Sequence, residues 1–276
     1  MVEPLEYYKL VYRIAGEAAG LLRDLACRSE YTRSVKGDTI RADLEAESYI
    51  IDALKGEGIG GKVVTEERGV VSLGGEGPTF ILDPLDGSTN YKMCIPWCSV
   101  SLAVAPPGAT SIREVIAGVV VPVFEGTPLG FIKGRGCFRG FSAIEARSES
   151  RGVIFVYIDH PEAAPILLSI LGRIRKLVGG KLRVRSLGSA ALEMSYTALG
   201  EALAFIDIRS ILRNVDVAAA LGILRECGGE AYTLDGRPLG IGITRIEYTG
   251  PIVASREPEV ALKIAEWVRE VSSAGP

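Results

Sequence analysis

The stretch ILDPLDGSTNY, residues 81–91, ends an apolar run in two carboxylates. An apolar strand delivers Asp83, Pro84 forces a turn, and Asp86 follows three residues later. Gly87, Ser88 and Thr89 then open a short helix. Two carboxylates across such a turn can converge on one point, with the Leu85 carbonyl aimed the same way. Hard cations such as Mg2+ take this kind of oxygen-only site. Beside it, the helix start at Gly87 and Ser88 presents unpaired backbone N–H groups suited to an anion. A cation site next to a phosphate cradle points to phosphoryl chemistry. On these residues alone a second reading stays open. Asp-Pro and Asp-Gly are common turn pairs, and Asp83 and Asp86 can be plain turn and cap residues.

Outward from this stretch, other acids stand at element ends. Glu66 and Glu67 close the strand KVVTEE (62–67), and Asp216 opens a helical segment running to Gly228-Gly229. Together they favour a centre of two or three metal ions. An amphipathic period predicts a helix over 4–28 and a second over 44–54, with an exposed polar loop, YTRSVKGD (31–38), between them. Apolar runs at 98–105 and 115–123 read as strands, and 131–140 carries a hairpin-like Gly pattern. Beyond the polar stretch EARSES (145–150) strands and helices alternate, which is α/β. This shift predicts a metal-binding α/β lobe over 1–145 and a second α/β lobe over 146–276 that completes the site.

Composition narrows the class. A chain of 276 residues, 47% hydrophobic and 24% charged, can bury a core without metal or disulfide staples. The net charge of −3 argues against nucleic-acid or anionic-membrane partners. No apolar run reaches the ~20 residues of a membrane span and the start lacks a signal layout, so a soluble cytoplasmic protein is expected. The five cysteines read as free thiols, buried and without a zinc site. A single His, His160, leaves acid–base work to carboxylates, a hydroxyl or a metal-bound water. There is no Gln and only two Asn, Asn90 and Asn214, beside 22 Arg and abundant Glu, a thermophile composition.

The sequence resembles the inositol monophosphatase / fructose-1,6-bisphosphatase superfamily, in particular its archaeal dual-activity type. DPLDGSTN (83–90) fits D-P-[LI]-D-G-[ST]-x-N, and the spacing from Asp216 to Gly228-Gly229 fits the second signature. TEE (65–67) precedes them where the first metal-binding Glu belongs. KGDTIRAD (36–43) is similar to the mobile catalytic loop, and KGRGCFRG (133–140) to a G-x-G-x-F segment. The resemblance implies a layered αβαβα sandwich of two α/β lobes, of the sugar-phosphatase type. It also implies a Mg2+-dependent, Li+-sensitive phosphoric monoester hydrolase of carbohydrate metabolism. The substrates would be fructose 1,6-bisphosphate, inositol 1-phosphate or both, hydrolysed by metal-activated water. A cytoplasmic homodimer with two or three Mg2+ per site is expected, Mn2+ being a possible substitute.

By the same resemblance Glu66, Asp83 and the Leu85 carbonyl bind the first metal, and Asp83, Asp86 and Asp216 the second. Glu66 reaches a third metal through water, under a loop carrying Asp38. The Gly87 and Ser88 amides hold the phosphate, and Ser88 pairs with Asp43 to orient the attacking water. Gly188, Ser189 and Ala190 line the sugar pocket. Two departures stand out: Val215 replaces a frequent Trp, and Arg209 stands where inositol-selective members tend to carry Glu. Arg209, with Arg185, would clamp a second phosphate. Other readings are a phosphatase of 3′-phosphoadenosine 5′-phosphate or NADP, and a non-catalytic binding homologue.

Overall fold

All eight residues of Thr79–Asp86 are buried, as are all seven of Ser99–Ala105, so these apolar strands lie at the middle of a covered sheet. The computed structural model describes residues 3–37, 39–144 and 152–273. Its helices are α1 (Pro4–Leu25), α2 (Ser29–Thr32), α3 (Arg41–Gly56), α4 (Ser88–Lys92), α5 (Ala163–Val178), α6 (Ala190–Ala198), α7 (Asn214–Glu226) and α8 (Pro258–Ser273). Its first strands are β1 (Ser34–Lys36), β2 (Thr39–Ile40), β3 (Gly61–Thr65), β4 (Gly69–Gly74), β5 (Thr79–Asp86), β6 (Ser99–Ala105), β7 (Ala117–Pro122), β8 (Leu129–Ile132), β9 (Gly136–Arg139) and β10 (Ser142–Ala143). The later strands are β11 (Val153–Val156), β12 (Arg183–Arg185), β13 (Ala204–Asp207), β14 (Glu230–Thr233) and β15 (Ile252–Ser255).

The strands form an eight-stranded sheet in the order β10-β9-β8-β7-β6-β5-β3-β4 and a five-stranded sheet in the order β12-β11-β13-β15-β14. Helices α1 and α3 cover one face of the large sheet, placing Tyr8, Val11, Ile14, Leu22, Ile50 and Ile51 against Phe80, Leu102 and Val119. Helices α5 and α8 cover the outer face of the small sheet. Between the sheets lie α6 and α7, packed on Ile81, Ala103 and Val120 on one side and on Phe205 and Ala254 on the other. The chain is therefore a five-layer αβαβα sandwich, as the motifs implied.

The sequence of α7 explains its central place. Apart from Asp216, VDVAAALGIL is apolar all round, and every residue from Asn214 to Leu224 is buried. Gly222 weakens the helix locally, but a Cβ there would stand 2.1 Å from the Phe131 ring. The missing side chain is what lets α7 close on the large sheet and hold Asp216 over it.

Several expectations changed. The segment read as the loop 31–38 carries the end of α2 and the strand β1, which pairs antiparallel with β2 just beyond it. The strand β4 was not anticipated, because its burial alternates with no fully buried residue. Four of the five cysteines are not free: Cys27 pairs with Cys94 and Cys137 with Cys227, with 5.7 Å between Cα atoms in each pair. Only Cys98 is a free, buried thiol. Spacing along the chain cannot show such pairings, which close over 67 and 90 residues. Thermophile intracellular proteins are a recognised exception to the rarity of cytosolic disulfides. Each bridge ties the chain just past the C-terminal end of a site-bearing helix, Cys94 after α4 and Cys227 after α7.

Candidate active site

Asp83 and Asp86 are an odd number of residues apart, so a regular strand would aim them at opposite faces. The register on β6 slips between them: Asp83 faces Ser101 and Asp86 faces Ser99, three residues against two. This bulge brings both carboxylates to one side. Just beyond, Gly87 turns the chain at φ 88°, and a Cβ there would meet the Trp97 and Gly188 carbonyls at 2.9 and 3.0 Å. Only glycine fits that close approach.

Two further carboxylates come from other elements. Glu66 sits in the turn after β3, and Asp216 in the first turn of α7. One oxygen from each of Glu66, Asp83 and Asp216 lies within 4.8 Å of the others. Three carboxylates this close, two of them buried, with no His or Cys among the donors, suit a hard divalent cation rather than zinc. Their electrostatics agree. Burial and the neighbouring charges of Glu66, Asp86 and Asp216 push Asp83 well above the carboxylate range. Burial raises Asp86 and Asp216 as well, against opposing hydrogen bonds and, for Asp216, the Arg213 charge. Asp43 is driven to about 8 by burial, despite the Ile40 N–H it accepts at 2.6 Å, with Glu66 and Glu67 adding repulsion. A bound cation would reverse these shifts.

Of the residues expected at the site, Glu66, Asp83, Leu85, Asp86, Gly87, Ser88, Gly188, Ala190, Arg209 and Asp216 line one cavity of about 250 Å3. It opens at the C-terminal ends of β3 and β5. A larger groove of about 810 Å3 lies at the opposite ends of these strands, where Lys62 and Glu76 are its only charged residues and no carboxylates converge. Ser189 must be corrected as a pocket residue. It is buried, and its hydroxyl donates to Asp86, whose oxygens also accept the Ala190 and Ala191 N–H groups at 3.1 and 2.9 Å. The start of α6 thus holds Asp86, and Ser189 is a positioning residue. Arg185 is also corrected: it is exposed on β12, bonds the Val184 carbonyl, and does not line the cavity. Asp38 lies outside the described residues.

Sequence reasoning missed the residues that hold these in place. Glu47, buried on α3, accepts from the Thr65 hydroxyl at 2.8 Å and the Arg68 N–H at 3.1 Å, fixing the turn that carries Glu66. Asn90 donates to the Trp97 and Leu187 carbonyls at 2.7 and 2.6 Å, joining α4 to the pocket loop. Arg209 is fixed too: it bonds Asp207 and, at 3.0 Å, Asp159, and its guanidinium lies 3.6 Å over the Tyr157 ring. Of these holding residues Asn90 ends the motif DPLDGSTN, and Tyr157 and Asp159 are marked only as polar residues at a strand end.

Glu193 on α6 holds the other side of the pocket loop, accepting the Leu187 and Gly188 N–H groups at 2.7 and 3.1 Å. Burial pushes its carboxyl to about 8. Because the folded pKa is raised, the folded state binds this proton more tightly than the unfolded chain. The resulting stability is complete below the ordinary glutamate pKa of about 4.3 and is lost as pH rises through about 8. Glu193→Gln is expected to remove this part of the slope, at most about 1.4 kcal/mol per pH unit. Urea unfolding at pH 5 and pH 8 checks it, and an unchanged pH slope would refute the assignment.

The inositol monophosphatase family pattern matches residues 3–273. An inositol-1-monophosphatase of Aeropyrum pernix is 45% identical, over 95% of this chain and 97% of that protein. A fructose-1,6-bisphosphatase/inositol-1-monophosphatase of Methanothermobacter thermautotrophicus is 32% identical, over 83% of this chain and 82% of its own length. Among solved structures, a Pyrococcus horikoshii protein with similarities to inositol-1 monophosphatase superposes with a TM-score of 0.75 at 27% identity, covering 96% of this chain and 97% of that one. With its metal-dependent chemistry matched by the acidic cluster at Glu66, Asp83 and Asp216, this chain belongs to the inositol monophosphatase family.

Proposed function

We propose that the chain is a Mg2+-dependent, Li+-sensitive phosphomonoesterase acting on inositol 1-phosphate, fructose 1,6-bisphosphate or both. The observation that carries this reading is the convergence of Glu66, Asp83 and Asp216 beside the Gly87 turn in a cavity large enough for one sugar phosphate. When bound, divalent cations would neutralise phosphoryl oxygens and activate the attacking water. Glu66, Asp83, the Leu85 carbonyl, Asp86 and Asp216 would hold two Mg2+, Mn2+ being an alternative, with Asp38 and Glu66 serving a third. The Gly87 and Ser88 N–H groups would orient the phosphate, Ser88 and Asp43 the water's proton, and Gly188, Ala190 and Arg209 the sugar. The cavity's small Gly188 and Ala190 leave room for a ring.

Initial rates with Mg2+ on inositol 1-phosphate, fructose 1,6-bisphosphate, NADP and 3′-phosphoadenosine 5′-phosphate test the proposal, and turnover of none of them refutes it. A second reading, NADP phosphatase, is favoured by a Methanocaldococcus jannaschii bifunctional NADP phosphatase/NAD kinase, 30% identical over 79% of this chain and 42% of its own length. Arg209→Gln is expected to shift the ratio of bisphosphate to monophosphate turnover by about 10- to 100-fold, the scale of one charged hydrogen bond. An unchanged ratio removes Arg209 from substrate recognition. Family resemblance supports a cytoplasmic homodimer, each chain having a metal-binding lobe over 1–145 and a second lobe over 146–276. Among the described residues no helix is long and apolar enough to cross a membrane.

A further inference from the structure

Arg213 is a charged residue at the site to which the proposed function assigns no task. It stands at the start of α7, on the cavity wall. Its guanidinium lies 2.7 Å from a Glu66 oxygen and bonds one Asp216 oxygen at 3.0 Å. Its backbone N–H and Nε take the other Asp216 oxygen at 2.7 and 3.3 Å. Both Asp216 oxygens and one of Glu66 are therefore already engaged, and these two carboxylates belong to the three that converge within 4.8 Å. The contrast with Arg209 is informative. Arg209 is 7% exposed and locked on Asp207, whereas the Arg213 and Glu66 side chains are 25% and 27% exposed. Arg213 can be exchanged from the solvent side, whereas Arg209, on the same cavity, is held by Asp207, Asp159 and the Tyr157 ring.

We propose that Arg213 is an internal counter-ion that competes with the catalytic divalent cation for Glu66 and Asp216, so that metal loading displaces its guanidinium. The inference rests on the phosphatase reading for its purpose, but on the ion pairs alone for its chemistry. Two effects of removing Arg213 oppose each other. Loss of a strut between Glu66 and Asp216 loosens the ligands, which weakens metal binding. Loss of a unit positive charge a few ångströms from a divalent ion removes a repulsion that scales with the ion's double charge. The second effect is the larger, because the carboxylates remain fixed without Arg213: Glu66 by the turn anchored on Glu47, Asp216 by the buried helix α7. Such a competitor keeps four crowded acids compatible with the metal-free fold and sets how much metal is needed to fill the site.

The test is Mn2+ binding to the metal-stripped full chain, followed by calorimetry and by the loss of the free-Mn2+ resonance. Arg213→Gln is expected to bind Mn2+ about tenfold or more tightly than the wild type, while its metal-free form melts at a lower temperature. Arg213→Lys keeps the charge without the fork of donors and is expected between the two; it also decides the matter if the Gln variant does not fold. Unchanged or weaker Mn2+ binding in both variants overturns the proposal and makes Arg213 a strut. Failure of the phosphatase reading appears separately, as absence of Mg2+-dependent phosphate release from the wild type, and leaves the binding comparison intact.

Discussion

Replacing Asp83 with Asn is expected to lower Mg2+-dependent phosphate release by about 10³-fold, the consequence of losing several kcal/mol of charge stabilisation. Asp83 is the buried carboxylate assigned to both proposed metal positions, and it lies against Glu66, Asp86 and Asp216. Asn keeps the shape and one acceptor oxygen but removes the charge, and its NH2 group repels a cation. The same change relieves repulsion among the acids when no metal is bound. The metal-free variant should therefore melt no lower than the wild type, while the rise in melting temperature on adding Mg2+ should vanish. Malachite-green phosphate release and calorimetry with and without Mg2+ read both effects. Retained Mg2+-dependent turnover would remove Asp83 from the metal site.

Opening the two disulfides is expected to have the largest effect on stability. Closing loops of 67 and 90 residues constrains the unfolded chain by roughly 4 kcal/mol per bridge in the loop-entropy description. For a chain of this size that corresponds to a fall of roughly 10 °C in melting temperature for each bridge. Cys137→Ser and Cys27→Ser, compared with the wild type under reducing and non-reducing conditions, would show it. A thiol count in denaturant should give one group before reduction, Cys98, and five after. Five thiols before reduction would return the cysteines to the free state expected from composition.

The parts of the fold that the sequence discloses are those governed by local periodicity. The apolar stripe of α1 and the unbroken apolar runs of β5 and β6 could be read because their burial is continuous. The strand β4 could not, because its residues alternate between partly buried and exposed and pair only with β3. At the site, Glu66, Asp83, Asp86 and Asp216 were legible because their turns carry motifs. What escaped was tertiary. Nothing near Glu47 or Glu193 in the sequence says that a buried glutamate will gather hydroxyl and backbone N–H donors from a loop 18 to 21 residues or 5 to 6 residues away. Ser189 was placed on the right loop but in the sugar pocket, since only the seating of the α6 N-terminus on Asp86 turns its hydroxyl inward. Arg209 and Arg213 stand four residues apart in DIRSILRNVD, yet one is locked on Asp207 and the other engages the acidic cluster.

The two asparagines bear on how the protein ages in heat. A chain otherwise free of side-chain amides keeps Asn90 in α4 and Asn214 at the start of α7, the helices that begin at the site. Deamidation needs the following backbone nitrogen to reach the side-chain carbonyl carbon. At Asn214 the side-chain oxygen accepts the Val215 N–H at 3.0 Å, and the amide nitrogen donates to the Gly242 and Arg245 carbonyls at 2.8 and 2.7 Å. Asn90 is clamped between two carbonyls as well. Loss of either amide would set a carboxylate against two backbone carbonyls, so chemical damage at Asn90 or Asn214 is expected to loosen the helix that carries part of the site.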